Sequence, residues 1–227
     1  MVSDDTNLSS HGSENGAHNG RKSSAKKSSR RARKRGPLDQ VALRDLALSY
    51  AAKYATTGAK LESYLARKVR ERGIESDDDG RDAQLDIPGI VTRMIELGYI
   101  DDAAYAQMRS RDLTARGYGK RRVEQALWAA GVENEIRESH APTEATSRRA
   151  AVLLAKKRGF GVFGRSVLTT DNQEDHDPSR KRREKQVAAM LRAGHTYDHV
   201  RYILDAESET ELDDWQADAE EDEHDDF

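Results

Sequence analysis

Two histidines spaced four residues apart are the first candidates for chemistry in this sequence. His195 and His199 have the i, i+4 spacing of two zinc ligands on one helical turn. The residue after His195 is Thr196, whereas the zinc metalloprotease pattern needs a glutamate there. A third ligand at a suitable spacing is lacking, so we expect neither a metal ion nor another cofactor. His195 is better explained as the residue that follows a helix-ending glycine.

Other patterns of catalytic residues are absent as well. The run GFGVFG, residues 159–164, lacks the Lys-Ser/Thr pair of a phosphate-binding loop and follows a helical pattern rather than a strand. The chain has no cysteine, which excludes thiol nucleophiles, thiolate metal ligands and disulfides. Serine does not occur in the strand-turn-helix context of a nucleophile elbow. The sequence therefore predicts a protein that is not an enzyme.

The strongest functional signal is a cluster of cationic side chains around a glycine turn, Gly117–Gly119. Three of them, 120–122, begin a predicted helix, where positive charge opposes the helix macrodipole. Residues placed against their local preference often serve binding. The alternative is an ordinary solvated helix face. We predict a partner-binding surface, called the basic cluster below, that consists of Arg109, Arg111, Arg116, Tyr118, Lys120, Arg121 and Arg122.

The elements that position this cluster are short amphipathic helices that end at glycines. A glycine just past a helix end adopts the left-handed conformation, and the apolar residue after it folds back toward the residue four before the glycine. Six segments have this signature: Val69–Gly73–Ile74, Met94–Gly98–Tyr99, Leu113–Gly117–Tyr118, Leu127–Gly131–Val132, Ala155–Gly159–Phe160 and, with histidine last, Met190–Gly194–His195. A series of such helix ends indicates tandem helical repeats.

These helices predict an all-α protein of three tandem three-helix repeats, stacked into an elongated, curved array. Each repeat is too small to bury its apolar faces alone, so neighbouring repeats must pack together. The predicted domains are a disordered basic tail, three helical repeats and a disordered acidic tail, with boundaries 1–36, 37–100, 101–141, 142–206 and 207–227. Side chains expected to cap helices are Thr56 or Thr57, Asp101, Ser179 and Thr196.

The net charge of −3 hides a strong asymmetry along the chain. The segment Arg21–Arg35 has nine basic residues and no acid, whereas the segment from Asp205 onward has thirteen acids and no Lys or Arg. The basic arm is expected either to make weak, non-specific contacts with DNA or only to aid solubility. Charge alone motivates the hypothesis that the acidic tail folds onto the basic arm or cluster. Without a membrane-spanning run or signal-peptide core, the sequence predicts a cytoplasmic protein. We also expect a monomer.

The region of the basic cluster resembles the RecX family of bacterial RecA regulators. The likeness covers about residues 38–206. In the second unit it is carried by the run Leu97-Gly98-Tyr99-Ile100-Asp101-Asp102, Tyr105-Ala106, Arg109 to Arg111, Gly117-Tyr118-Gly119, Arg122-Val123, Leu127 and Gly131. In the third unit it is carried by Glu184-Lys185, Met190-Leu191, Gly194, Tyr197-Asp198 and Val200.

The resemblance implies a non-enzymatic protein that binds the RecA filament. Family members suppress the filament's ATPase, strand-exchange and coprotease activities, which serve homologous recombination, DNA repair and the SOS response. This chain departs from the family pattern at Lys120, where a proline is common, in the longer loop 75–86 and in both tails. The alternative is a helix-turn-helix-like DNA-binding protein that uses the repeats and the basic arm. Against it, no helix presents Asn, Gln and Arg together in the manner of a recognition helix.

Overall fold

The computed structural model describes residues 36–76, 79–164 and 178–225. The predicted basic tail, except Gly36, and residues 165–177 of the predicted connection lie outside the described residues. No described helix is both long enough and apolar enough to cross a membrane. The α-helices in the described ranges are α1 Gln40–Ala51, α2 Gly58–Arg72, α3 Ile87–Glu96, α4 Asp102–Ala115, α5 Lys120–Trp128, α6 Asn134–Ser139, α7 Glu144–Arg158, α8 Pro178–Arg192, α9 Tyr197–Asp205 and α10 Glu209–Asp225.

The first nine helices form three tandem three-helix repeats, which confirms the predicted fold class. One hydrophobic cluster lies within α1–α3, a second and smaller one within α4–α6, and a third within α7–α9 together with α10. A short 3-10 helix, Gly161–Phe163, packs between α7 and α9. Strand-like pairing in the described ranges is limited to two isolated bridges, Leu38 with Ile74 and Ser76 with Asp82. The domain boundaries given above stay predictions.

The predicted glycine helix ends are confirmed in their backbone geometry. Five of them have both hydrogen bonds of the Schellman motif, as at Gly117, where Tyr118 N donates to Leu113 O over 3.0 Å and Gly117 N donates to Thr114 O over 2.8 Å. The exception is Gly73, whose N–H donates to Val69 O while Ile74 pairs with Leu38 instead. Leu38 is fully buried, so the segment leading into α1 replaces the usual fold-back at this helix end.

Most predicted helix caps are also confirmed. The side chains of Thr57, Asp101 and Thr196 accept hydrogen bonds from backbone N–H groups in the first turns of α2, α4 and α9. For Ser179 the cap stays a prediction, and the structure places the start of α8 at Pro178. A proline fits the first turn of a helix, since the N–H that it lacks has no partner within the helix.

The prediction of a disordered acidic tail is wrong for Glu209–Asp225, which form helix α10. Leu212, Trp215 and Ala219 recur at helical spacing and are buried against repeat 3. The carboxylates also have cationic partners on α7, since Glu220 pairs with Arg149 over 3.0 Å. The high acid content concealed an apolar stripe that is sufficient to fix the helix. Helix α10 therefore packs on α7 rather than on the basic cluster.

Candidate partner-binding surface

The basic cluster occupies the end of α4, the turn after it and the start of α5. The structure therefore brings all the predicted residues to one region, and every cationic side chain among them is at least partly exposed. Tyr118 is 36% exposed at the centre of the turn. Its backbone N–H closes the helix end, which leaves the phenol ring on the surface. The predicted surface is thus accessible to a partner.

The cations of the cluster fall into two electrostatic classes. Arg109 and Arg116 both contact the carboxylate of Asp112, at 3.0 and 2.8 Å. By contrast, the exposed side chains of Arg111, Lys120 and Arg121 make no ion pair with any described residue. Arg122 also lacks an ion pair with the described residues, but it donates to the amide oxygen of Gln125 over 2.7 Å. Because Asp112 partly neutralises its two partners, the free positive charge of the cluster lies mainly at Arg111 and at the start of α5.

Helix α5 begins on the backbone of repeat 3. Its N-cap residue, Gly119, has no side chain to cap the helix. Instead Gly119 N donates to Ala193 O over 3.0 Å, and Arg121 N donates to Gly194 O over 3.2 Å. The first N–H groups of α5 thus bond to carbonyls at the end of α8, so the unpaired groups of the two helix ends satisfy each other.

This contact, called the α8–α5 junction below, depends on the absence of side chains. A Cβ atom on Gly119 would lie 2.4 Å from the carbonyl oxygen of Gly194. A Cβ atom on Gly194 would lie 2.4 Å from the backbone nitrogen of Arg122, and Gly194 also has a φ of 95°. Both glycines are therefore required for the close approach of the two backbones.

His195 completes the α8–α5 junction. Its Nε2 lies 3.0 Å from Gly117 O, and because a carbonyl only accepts, Nε2 carries the hydrogen. Burial lowers the pKa of His195, an effect that the Gly117 carbonyl partly offsets. The other ring nitrogen, Nδ1, is buried without a hydrogen-bond partner among the described residues. The imidazole is a neutral structural donor here, while His199 bonds Glu144 at 3.0 Å.

The junction changes one premise of the sequence analysis. Lys120, Arg121 and Arg122 were expected to be unfavourable at the positive end of α5. In the structure this helix end adjoins the carbonyl end of α8, which is the negative end of that helix dipole. The local electrostatic argument for a binding role is therefore wrong, because a neighbouring helix compensates the charge. A binding role for these three side chains is now supported only by their exposure.

A second junction, which sequence reasoning missed, joins repeats 1 and 2 in the same relative order. The hydroxyl of Thr57 donates to Ala130 O over 2.5 Å, and Gly58 N donates to the carboxylate of Asp102 over 3.0 Å. The start of α2 thus lies on the end of α5, as the start of α5 lies on the end of α8. We call this contact the α5–α2 junction. Thr57 was predicted as a cap, but nothing local in the sequence signals its partner 73 residues away.

Burial raises the pKa of Asp102 in this junction, although the Gly58 N–H partly opposes the shift. Lys60 extends the polar contact, since its ammonium group bonds the hydroxyl of Tyr105 and lies 4.5 Å from the centre of that ring. Gly131 adjoins Ala59, where a Cβ on the glycine would clash with the alanine methyl group. The α5–α2 junction therefore relies mainly on polar side chains.

A small cavity of about 160 Å³ lies beside the basic cluster. Its apolar lining includes Val123, Leu127 and Pro142, and its charged lining consists of two cations, Lys120 and Arg137, and two carboxylates, Glu124 and Glu138. One nitrogen of Arg137, Nε, is buried and has no acceptor among the described residues. The cavity thus combines apolar walls with charged groups that balance one another, which suits a small apolar side chain.

The comparisons with known proteins agree with one another. A family model described as the second three-helix domain of RecX matches residues 101–139. Regulatory protein RecX of Myxococcus xanthus is 28% identical over 183 residues, which are 77% of this chain and 92% of the relative. Regulatory protein RecX of Agrobacterium fabrum is 30% identical over 157 residues, which are 68% of this chain and 77% of the relative.

Solved structures show the same fold. The crystal structure of RecX from Lactobacillus salivarius superposes with a TM-score of 0.53 at 23% identity, and covers 77% of this chain and 97% of that one. A second crystal structure of a regulatory protein RecX gives a TM-score of 0.51 at 17% identity. The repeat architecture, the matched second repeat and the curated relatives lead to one conclusion: this chain belongs to the RecX family.

Proposed function

We propose that this protein is a cytoplasmic regulator that binds the RecA filament and inhibits its ATPase, strand-exchange and coprotease activities. It acts by binding rather than by catalysis, in recombination, DNA repair and the SOS response. The observation that carries the proposal is membership of a family whose relatives are named regulatory proteins. A stack of helical repeats suits this role, because it offers a long surface to a repetitive partner.

The basic cluster is the proposed contact with RecA. Its unpaired cations, Arg111, Lys120 and Arg121, project from the α8–α5 junction, which fixes the backbone beneath two of them. A rigid base reduces the entropy lost when such side chains bind. The neighbouring cavity is proposed to receive an apolar side chain of the partner, since its walls are apolar and its charged lining is balanced. Positive charge and a small apolar cavity together favour an acidic protein surface.

A titration of DNA-dependent ATP hydrolysis by RecA tests the proposal. The wild-type chain is expected to inhibit hydrolysis at or below equimolar ratio. Charge reversal of Arg111, Lys120 and Arg121 to Glu is expected to raise the concentration needed for half-inhibition by about a hundredfold, since charges at a contact steer association and like charges repel. These residues are chosen over Arg109 and Arg116 because reversing the latter would place new carboxylates against Asp112.

A matched control reverses Arg44, Lys53 and Arg201 to Glu. These side chains are exposed and make no ion pair with described residues; Arg44 lies on α1, Lys53 just after α1 and Arg201 on α9, outside the cluster. The control is expected to inhibit like the wild type, and circular dichroism should show equal helicity for all three proteins. Equal loss of inhibition in both variants would remove the basic cluster as the contact. Unchanged ATPase activity and strand exchange with the wild-type chain would refute the proposed function itself.

A further inference from the structure

The positive charge of the three repeats is concentrated on one class of helix. The second helices, α2, α5 and α8, carry fourteen Lys and Arg against four Asp and Glu. The first and third helices of the same repeats carry eleven against nine. Within this second group α7 alone carries five against one, so the other first and third helices carry six against eight. The positive excess therefore lies on the middle helix of each repeat and on α7.

These three helices meet end to end. The α8–α5 junction joins the first pair through the bond from Gly119 N to Ala193 O, and the α5–α2 junction joins the second pair through the bond from Thr57 to Ala130 O. The helices have 15, 9 and 15 residues. At the helical rise per residue they provide about 60 Å of helix in succession. We call this succession the second-helix track.

Many cations of the track are available for a ligand. On α8 the exposed side chains of Lys181, Arg182 and Lys185 make no ion pair with any described residue. On α5 the same holds for Lys120 and Arg121. On α2 only the exposed Arg70 is in this position, because Arg67 and Lys68 pair with Glu71 and Arg72 donates to Gly36 O. Unpaired cations that recur along the succession match a ligand whose negative charges repeat at short intervals. The phosphate backbone of a nucleic acid has that property.

Exposed aromatic rings accompany the positive charge. Trp128, on α5, is 68% exposed and is one of only two tryptophans in the chain. At the α8–α5 junction, Tyr118 directly precedes Gly119, and Tyr197, which is 59% exposed, lies three residues after Gly194. Proteins that bind single strands combine a cationic path with exposed aromatic rings on which unpaired bases stack.

We propose that the second-helix track binds single-stranded nucleic acid without sequence preference. The cations of α2, α5 and α8 contact phosphates, and the indole ring of Trp128 stacks on a base. This ligand adds to the proposed RecA contact and does not depend on it. The binding mode also differs from a helix-turn-helix, because no helix has to enter a duplex groove.

The experiment measures binding of a fluorescent thymidine oligonucleotide in the absence of RecA. The background protein is the full chain with the nine Lys and Arg of Arg21–Arg35 replaced by Gln, so the arm cannot supply the binding. In this background the substitutions Lys181→Gln, Arg182→Gln and Lys185→Gln are expected to weaken binding about tenfold or more at low salt. They should also reduce the salt dependence by about two counterions, at roughly 0.7 per phosphate contact on a single strand.

The matched control removes the same number of charges outside the track through Arg44→Gln, Arg93→Gln and Arg201→Gln, on α1, α3 and α9. It is expected to change the affinity by less than about twofold, because non-contacting surface charges act only through screened, long-range forces. An equal loss in the control and the α8 variant would show that net charge alone binds the oligonucleotide, and would overturn the proposal. Failure of the background protein to bind would also overturn it.

Tryptophan emission provides an independent readout. Oligonucleotide binding is expected to quench the emission of exposed Trp128, and Trp128→Phe should abolish this quenching, since Trp215 is buried beside α7. Tighter binding of a duplex of equal length, without quenching, would refute the single-strand assignment. If the α8 variant lost RecA inhibition while retaining oligonucleotide affinity, the track would belong to an acidic protein surface instead. Because binding is measured without RecA, its outcome is separate from that of the ATPase titration.

Discussion

The two junctions between repeats achieve the same arrangement by different chemistry. In both, the start of one second helix lies on the end of the second helix of the next repeat. The α8–α5 junction uses backbone-to-backbone hydrogen bonds and two glycines that leave no room for a Cβ atom. The α5–α2 junction uses the side chains of Thr57 and Asp102. The same geometry therefore depends on the absence of side chains at the α8–α5 junction and on polar side chains at the α5–α2 junction.

The difference teaches where each junction is vulnerable. A backbone contact is insensitive to most side chains but fails when any Cβ atom enters it. A side-chain contact tolerates added atoms better, but it fails when a hydroxyl or carboxylate is lost, because a buried carbonyl or N–H then remains unpaired. The substitutions below separate these two kinds of failure.

The largest effect is expected for Gly194→Ala. This alanine combines a positive φ with a Cβ that would lie 2.4 Å from the backbone nitrogen of Arg122. The junction has to open, so the free energy of unfolding is expected to fall by at least about 3 kcal/mol in urea denaturation. Gly98→Ala is the matched control, since Gly98 has a φ of 72° and no atom near its would-be Cβ. It should cost only about 1 kcal/mol.

An intermediate effect is expected for Thr57→Val, which preserves the shape of the side chain. The variant loses the cap on Lys60 N and leaves Ala130 O without its donor, so about 2 kcal/mol of stability should be lost. The control is Thr143→Val, which removes an exposed cap on α7 and should cost about 1 kcal/mol. Equal costs for the two variants in thermal or urea unfolding would show that the bond to Ala130 contributes nothing.

The smallest effect is the change of the free energy of unfolding with pH, which has opposite signs at the two junctions. Burial lowers the pKa of His195, so the folded state binds fewer protons there, and this stability is present above the ordinary histidine pKa and lost as pH falls below it. Burial raises the pKa of Asp102, so its contribution is present below the ordinary aspartate pKa and lost as pH rises. Between pH 7 and 5.5, we therefore expect wild-type stability to decline more steeply than that of His195→Gln.

The Asp102→Asn variant provides the contrast for the pH measurement. Asparagine retains an oxygen that accepts from Gly58 N but cannot ionise. Its unfolding free energy should follow the wild-type decline between pH 7 and 5.5, since the histidine response is intact. Parallel pH profiles for wild type and His195→Gln would show that His195 does not make the α8–α5 junction sensitive to acid.

Local signals in the sequence were sufficient for much of the fold. Gly117 sets the end of α4 through its own backbone conformation. It could therefore be identified as a helix end without knowledge of distant residues. The partner of Thr57 could not, because 73 residues separate it from Ala130. The apolar stripe of α10 was present in the sequence, yet it was outweighed by the surrounding acids.

In the candidate site, too, features set by local sequence could be predicted and features set by neighbouring side chains or helices could not. The positions and exposure of the basic cluster follow from the helix ends and could be predicted. The assignment of free and paired cations could not, because it depends on rotamers that bring Arg109 and Arg116 to Asp112. The dipole argument failed for Lys120–Arg122 because it considered one helix, whereas the field there comes from two.

The backbone cap on α5 can form only after a later part of the chain has been synthesised. Gly119 leaves the ribosome about 75 residues before Gly194, the residue whose carbonyl completes the start of α5. At ordinary rates of synthesis this interval is about 4 to 15 seconds. During it, the first N–H groups of α5 have only water as a partner, and α2 in turn rests on a helix that is not yet anchored. Repeats 1 and 2 can therefore meet before repeat 3 is made, whereas the backbone cap on α5 forms only after α8 has been made.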